Sequence, residues 1–343
     1  MSTRWIYHSF LAAIVAAPLL AAPEAWAQKG RSEIIDIHAH LLDGKRVGLD
    51  GAMESALGVM DEFNISTSFI MPPPQTVEQN RKDTIEIYGP RPTGDNPRFL
   101  YLGGGGSLNV MIQEALRAGQ VTGEMRQAFR QRAAAILNRG AIGFGEMTAE
   151  HVSRRAGHPY VSAPPDHPLF VLLAEIAAEK GVPIDFHMEA IEQDMPRPKA
   201  LSDTNPEMLK ANIAAFERLL AHNRQAIIIW SHLGWDNTGD RTPSLTRRLL
   251  EAHSNLFLSI KSAKGTIKKT KLERQKALKP DWKALIEDFP DRFMIGSDLK
   301  YRGGGRTQGG RMKVYKKILK QLSPGARKSV ASENARRIFK LNR

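Results

Sequence analysis

Apolar and polar residues fall into alternating blocks along this chain. Short runs of apolar and β-branched residues recur near 34–38, 67–71, 99–102, 141–145, 183–186, 226–230, 256–260 and 293–296. Between them lie longer stretches that read as helices: 52–63, 110–138, 167–180, 207–221, 246–252, 282–289, 312–322 and 325–339. Short strands alternating with helices predict a parallel sheet with helical crossovers. Eight strands in near one-for-one alternation favour an α/β fold of the (β/α)8 TIM-barrel type over an open doubly wound sheet. Two connections are long, 72–98 after the second strand and 302–310 after the eighth. Both are expected at the C-terminal face, where such barrels keep their chemistry.

That face is also where the titratable residues collect. The first strand reads IIDIHAHL, and side chains alternate along a strand, so Asp36, His38 and His40 point the same way. The fourth run ends at Glu146, the fifth at His187, the sixth at His232 and the eighth at Asp298. One such residue after an apolar run is usually structural. Four imidazoles and two carboxylates at five strand ends are too many buried polar groups to accumulate without a compensating partner. A divalent cation is the natural one, and with no Cys in the chain its ligands must be His, Asp or Glu.

Taken in order, H-x-H, G-E, H, S-H-L-G and G-S-D on successive strands resemble the amidohydrolase superfamily, and the run SENARRIF near the C-terminus resembles the end of its amidohydrolase-related group. The resemblance spans about residues 34–339 and implies a metal site at the C-terminal ends of the strands. It implies that His38, His40 and Asp298 hold one metal, that His187 and His232 hold a second, and that Glu146 bridges them. In mononuclear relatives His38, His40, His187 and Asp298 hold a single ion, and His232 only hydrogen-bonds; GEMT resembles the binuclear, Glu-bridged branch. Zinc suits this ligand set best, with other divalent ions open. The implied activity is metal-dependent hydrolysis of an ester, lactone, amide or phosphoester. Asp298 would then also serve as general base and acid. A decarboxylase of small carboxylic acids is the alternative on the same scaffold. A metal-binding protein without turnover is disfavoured, because a mere binding site has no use for a base at Asp298.

Other polar residues have less to say. Asp36 is read either as the hydrogen-bond partner of a metal-binding imidazole or as a buried structural acid. His151, His158 and His167 are expected to face solvent, Trp235 and Asp236 to line the pocket, and His222 and His253 to be structural.

The N-terminus reads as a leader. Arg4, the apolar run 10–22 and Ala25-Trp26-Ala27 form a signal peptide over 1–27, so a single domain over 28–343 is expected to be periplasmic or secreted. The apolar run, interrupted by Pro18, is shorter than the roughly 20 residues of a membrane span, so no membrane attachment is expected after cleavage. The formal net charge is +13, and nine Lys or Arg crowd 261–283. Nucleic acid fits poorly with export, and such a run is usually a solvated face. Lys261, Lys264, Arg302 and Arg306 lie in loops expected to overhang the site, favouring a small anionic substrate. Assembly into a homo-oligomer is compatible with the sequence.

Overall fold

The computed structural model describes residues 1, 33–42, 48–78, 96–262, 267, 269–274, 277–302 and 310–341. The expected leader, and Lys264 and Arg306 of the basic loops, lie outside them. The chain divides into two units, Met1–Arg31 and Ser32–Arg343, and every element below belongs to the second.

The apolar runs do form strands, and they pair in parallel. Their order is Phe99–Tyr101, Ile65–Ile70, Ile34–Leu42, Phe293–Ile295, Leu256–Ile260, Ile228–Leu233, Ile184–Met188, Phe144–His151 and Gly103–Gly104. The two ends of this path come from one stretch of chain, separated by Leu102 alone. Phe99–Tyr101 pairs with Ile65–Ile70, and Gly103–Gly104 pairs with Phe144–His151. The result is a TIM-barrel-like parallel α/β fold. Strand Ile34–Leu42 is buried along all but its last residue, as expected where helices cover one face of a parallel sheet and side chains fill the other.

Several strands run further than the apolar pattern indicates, and this matters for the site. Ile34–Leu42 includes His38 and His40, Phe144–His151 includes Glu146, Ile184–Met188 includes His187, and Ile228–Leu233 includes His232. The ladders register His40 against Lys300 and His187 against Thr148, while His38, Glu146 and His232 fall where the pairing register shifts. Asp298 is held differently. It sits in an interruption between Phe293–Ile295 and Leu299–Arg302, both of which pair with Ile34–Leu42.

Three helical expectations need correction. The predicted helix 110–138 is two, Leu108–Ala118 and Gly123–Asn138. Gly119 ends the first in the left-handed conformation at φ 68°, which costs glycine little, and Thr122 caps the second by accepting from Met125 N. The helix expected over 207–221 begins only at Ile213, because Met208–Leu209 pairs antiparallel with Met195–Pro196. The last helical stretch carries a π-helical turn, Ser329–Glu333, between Pro324–Lys328 and Asn334–Ile338.

Most of the large buried side chains form one cluster shared by strands and helices, including Trp230, Trp282, Phe170, Phe186 and Phe216. A second cluster joins Ile35, Ile37, Phe69, Met294 and Phe257 to Ile338 and Phe339 of the C-terminal segment. There the Phe339 ring meets Phe69 edge-on at 4.4 Å. No described helix is long and apolar enough to cross a membrane.

Candidate active site

The polar residues of the strand ends converge on Glu146. Its Oε1 lies 2.5 Å from His187 Nδ1 and 3.0 Å from His232 Nε2. Its Oε2 lies 3.7 Å from His38 Nε2 and 3.6 Å from His40 Nε2. Asp298 joins from the other side, with Oδ1 3.1 Å from His40 Nε2. All six residues are buried.

The two imidazoles of the first strand are fixed from behind. His40 Nδ1 meets the Met71 carbonyl at 2.9 Å, and His38 Nδ1 meets Asp185 Oδ2 at 3.1 Å. Asp185 is itself held by Ser231 Oγ, which donates to its other oxygen at 2.6 Å. With their Nδ1 atoms occupied, His38 and His40 present Nε2 inward. The Asn109 side chain grips the peptides around Glu146, donating to Glu146 O at 2.9 Å and accepting from Thr148 N at 3.0 Å. Asp298 N donates to His38 O at 2.8 Å, tying that interruption to the first strand.

Two site residues have left-handed backbones, His232 at φ 69° and Asp298 at φ 50°. Non-glycine residues seldom adopt this region, and the cost falls where a function fixes the side chain. Gly234, at φ +91°, follows His232, and a Cβ there would meet the Lys261 carbonyl at 2.9 Å. At Gly296 a Cβ would meet Ser259 Cβ at 2.7 Å. Glycine therefore lets the backbone turn His232 and Asp298 inward.

The electrostatics follow from these contacts. Burial alone would push the Glu146 carboxyl up, but hydrogen bonds from His187 and His232 and the nearby His38 charge outweigh it and hold the group well below the usual carboxylate range. Burial opposes the charge on His38 too, yet Asp185 and then Glu146 raise its imidazole well above the ordinary value. His232 moves the other way, lowered first by burial and then by the nearby Lys261 charge. In Asp298, burial is again outweighed, by Lys261, Lys300 and His40, and the carboxyl is held low.

Two overlapping groups have ligand atoms within 4.8 Å of one another: His38, His40 and Asp298, and His38, Glu146 and His232. His187 belongs to neither and joins the centre through Glu146. The residues fit a divalent cation on an independent ground. His38 Nε2, His40 Nε2 and His232 Nδ1 are buried without a hydrogen-bond partner, which native structures seldom tolerate. Imidazole nitrogens and carboxylate oxygens are donors that zinc and similar ions take.

Elsewhere the structure redistributes the sequence expectations. Asp36 does not touch an imidazole ring; it accepts from Ser297 N at 2.8 Å and Ser297 Oγ at 2.5 Å, pinning the turn before Asp298. This is the second of its two readings, a buried structural acid, and the partner of the imidazole is Asp185, a residue the sequence shows only inside an apolar run. Lys261 is not a solvated loop residue. It is buried, with Nζ 2.5 Å from Asp298 Oδ2 and 3.8 Å from the centre of the Trp235 ring. Trp235 also meets His187 and His232 edge-on, whereas Asp236 organises its own turn by accepting from Thr238 N and Gly239 N. Arg302 is exposed.

The three loop imidazoles do not all face solvent. His151 is half-buried, its ring 5.1 Å from His187, and burial followed by the charges of His187 and His158 pushes it down to about 3. His167 is buried because it caps helix Pro168–Lys180, accepting from Leu169 N at 3.2 Å. His158 is half-buried against His151. His222 lies 3.1 Å from Glu175, and His253 closes helix Pro243–Ala252, both in structural positions.

Strands and site together define the class: a TIM-barrel-like α/β protein with a buried imidazole–carboxylate cluster at its strand ends. The family model described as Amidohydrolase matches residues 35–341, and the chain belongs to the amidohydrolase family. It is therefore an enzyme of hydrolase or lyase type with a small-molecule substrate. Among solved structures, it is similar to amidohydrolase 2 from Bifidobacterium longum subsp. infantis, at 13% identity and TM-score 0.44, over 91% of this chain and 100% of that one. It is also similar to an amidohydrolase from Mycobacterium avium subsp. paratuberculosis K-10, at 15% identity and TM-score 0.44, over 84% of this chain and 73% of that one. No curated protein matches it.

Proposed function

We propose that this enzyme is an exported, metal-dependent hydrolase that cleaves an ester, lactone, amide or phosphoester bond in a small anionic substrate. The observation that carries the reading is the pair of buried Nε2 atoms of His38 and His40, without hydrogen-bond partners, beside two carboxylates held ionised. His38, His40 and Asp298 would hold one divalent ion, zinc by ligand type, and Glu146, His187 and His232 a second, with Glu146 as the bridge. The reading takes the eight strands as a closed (β/α)8 barrel; the pairing of Phe99–Tyr101 and Gly103–Gly104 with opposite neighbours supports this.

The bound metal supplies Lewis acidity, polarising the scissile group and lowering the pKa of a water. The chain's own residues do the rest. Asp298 takes the proton of the attacking water and returns it to the leaving group; it is ionised before the water arrives. His38 and His40 are held in one orientation by Asp185 and Met71. Lys261 and Lys300, 2.5 and 3.9 Å from Asp298, add positive charge beside the site, which favours an anionic substrate. Cleavage near Gln28 would deliver the mature chain to the periplasm or the exterior.

The test is a panel of lactones, esters, amides and phosphotriesters against the mature protein, with and without chelation. Chelator-sensitive turnover of at least one class is expected. If none is hydrolysed, and a small carboxylic acid instead releases CO2, the decarboxylase reading replaces this one.

A further inference from the structure

We propose that Lys261 is a positioning residue that holds Asp298 with one oxygen turned toward the metal site. The inference rests on the metal-dependent reading above and goes beyond it. An amine as buried as that of Lys261 is costly to keep unless it is paired. Here its partners are specific: Asp298 Oδ2 at 2.5 Å and the face of Trp235 at 3.8 Å. Asp298 is consequently divided between two neighbours. Oδ2 faces the ammonium, and Oδ1 faces His40 Nε2 at 3.1 Å.

The backbone fixes both ends of this contact. Lys261 N donates to Leu233 O at 2.8 Å, which ties Lys261 to the strand that carries His232. Asp298 is tied to His38 O by its own N–H, and Asp36 pins the preceding Ser297. Two short anchored segments from different strand ends therefore meet through one ion pair. Lys300, a half-exposed competitor 3.9 Å from Oδ1, stands on the outer side. Without Lys261, the carboxylate is free to rotate toward Lys300 and away from His40.

Three variants of the mature chain test this: Lys261→Met, Lys261→Arg and Asp298→Ala, together with the Lys261→Met/Asp298→Ala double variant. Zn²⁺ affinity is measured by chelator competition, and the Co²⁺-substituted protein gives a ligand-field spectrum that reports the oxygen donor. Lys261→Met is expected to weaken Zn²⁺ binding by roughly 10–100-fold, as loss of a residue that orients a ligand does, and to shift the Co²⁺ spectrum; Lys261→Arg restores both in large part. Unfolding of the metal-free forms is followed in the same set. There the two substitutions should be non-additive by about tenfold or more in the unfolding constant. Additive effects overturn the Lys261–Asp298 contact whether or not the protein binds metal. Non-additivity with unchanged Zn²⁺ affinity and Co²⁺ spectrum in Lys261→Met overturns the positioning role. A wild-type protein that binds no metal removes the metal-dependent reading and the positioning role with it, while the non-additivity still shows whether the pair forms.

Discussion

Two sets of buried acids behave in opposite ways. Glu146 and Asp298 are surrounded by nitrogen donors and stay ionised. Glu150, four residues beyond Glu146, and Glu189, two beyond His187, are just as buried, but Glu150 meets only the hydroxyls of Ser162 and Tyr160, and the charges of Arg241 and Lys261 lower Glu189 less than burial and Asp236 raise it. Burial pushes Glu150 up to about 7, and burial with the charge of Asp236 pushes Glu189 up to about 8. Burial is common to both sets, so the partners decide the charge state. The cluster at the strand ends is thus a place built to hold negative oxygen, and its immediate surroundings are not.

The comparison breaks most visibly at Asp298. Asp298→Asn keeps an oxygen that can still coordinate but removes the base, so turnover should drop by roughly 10²–10⁴-fold. Steady-state kinetics at saturating metal checks this. Near-normal kcat would mean that an ionised Asp298 is not needed for proton transfer.

A smaller effect is expected one layer out. Asp185→Asn leaves the fold and the inward Nε2 of His38 in place but weakens the contact that orients the ring. Metal affinity should decline by about 10–100-fold, measured by chelator competition. An unchanged affinity would show that the Asp185 contact is dispensable for the centre.

The smallest effect sharpens the contrast from the side of the neutral acids. Glu150 has a folded pKa of about 7 against an ordinary value of 4.5. The folded state therefore keeps a proton that the unfolded state has already lost, and this group's contribution to stability declines as pH rises from about 4.5 to about 7, then levels off. Glu150→Gln removes that decline. Urea unfolding should show the variant more stable than wild type at pH 8, with little difference at pH 4. A variant less stable at pH 8 would mean that Glu150 is ionised and paired in the folded protein.

Much of this site could be read from the sequence because its residues close apolar runs, and a strand carries them to one face. His38 and His40 are two positions apart on one strand, so their convergence is local. Residues whose partners are distant in sequence were less legible. Asp185 is buried inside the run PIDFHM and meets His38 across 147 positions, with no local sign of its role. Lys261 begins a run of basic residues and takes its significance only from Asp298, on a different strand end. Asp36 shares a face with both His residues, yet the turn after an adjacent strand offers it Ser297. The broken helix 110–138 has a simpler cause: the apolar spacing continues across Gly119, where the backbone turns left-handed and the helix stops.

The central claim is that the residues around Glu146 are a metal centre. Elemental analysis of the mature protein and of Glu146→Gln, purified without added chelator, addresses it directly. A bridging Glu146 predicts close to two divalent ions per chain in the wild type and clearly fewer in the variant. One ion per chain, untouched by the substitution, would contradict the bridge and favour a mononuclear centre; no bound metal in either protein would contradict the claim itself.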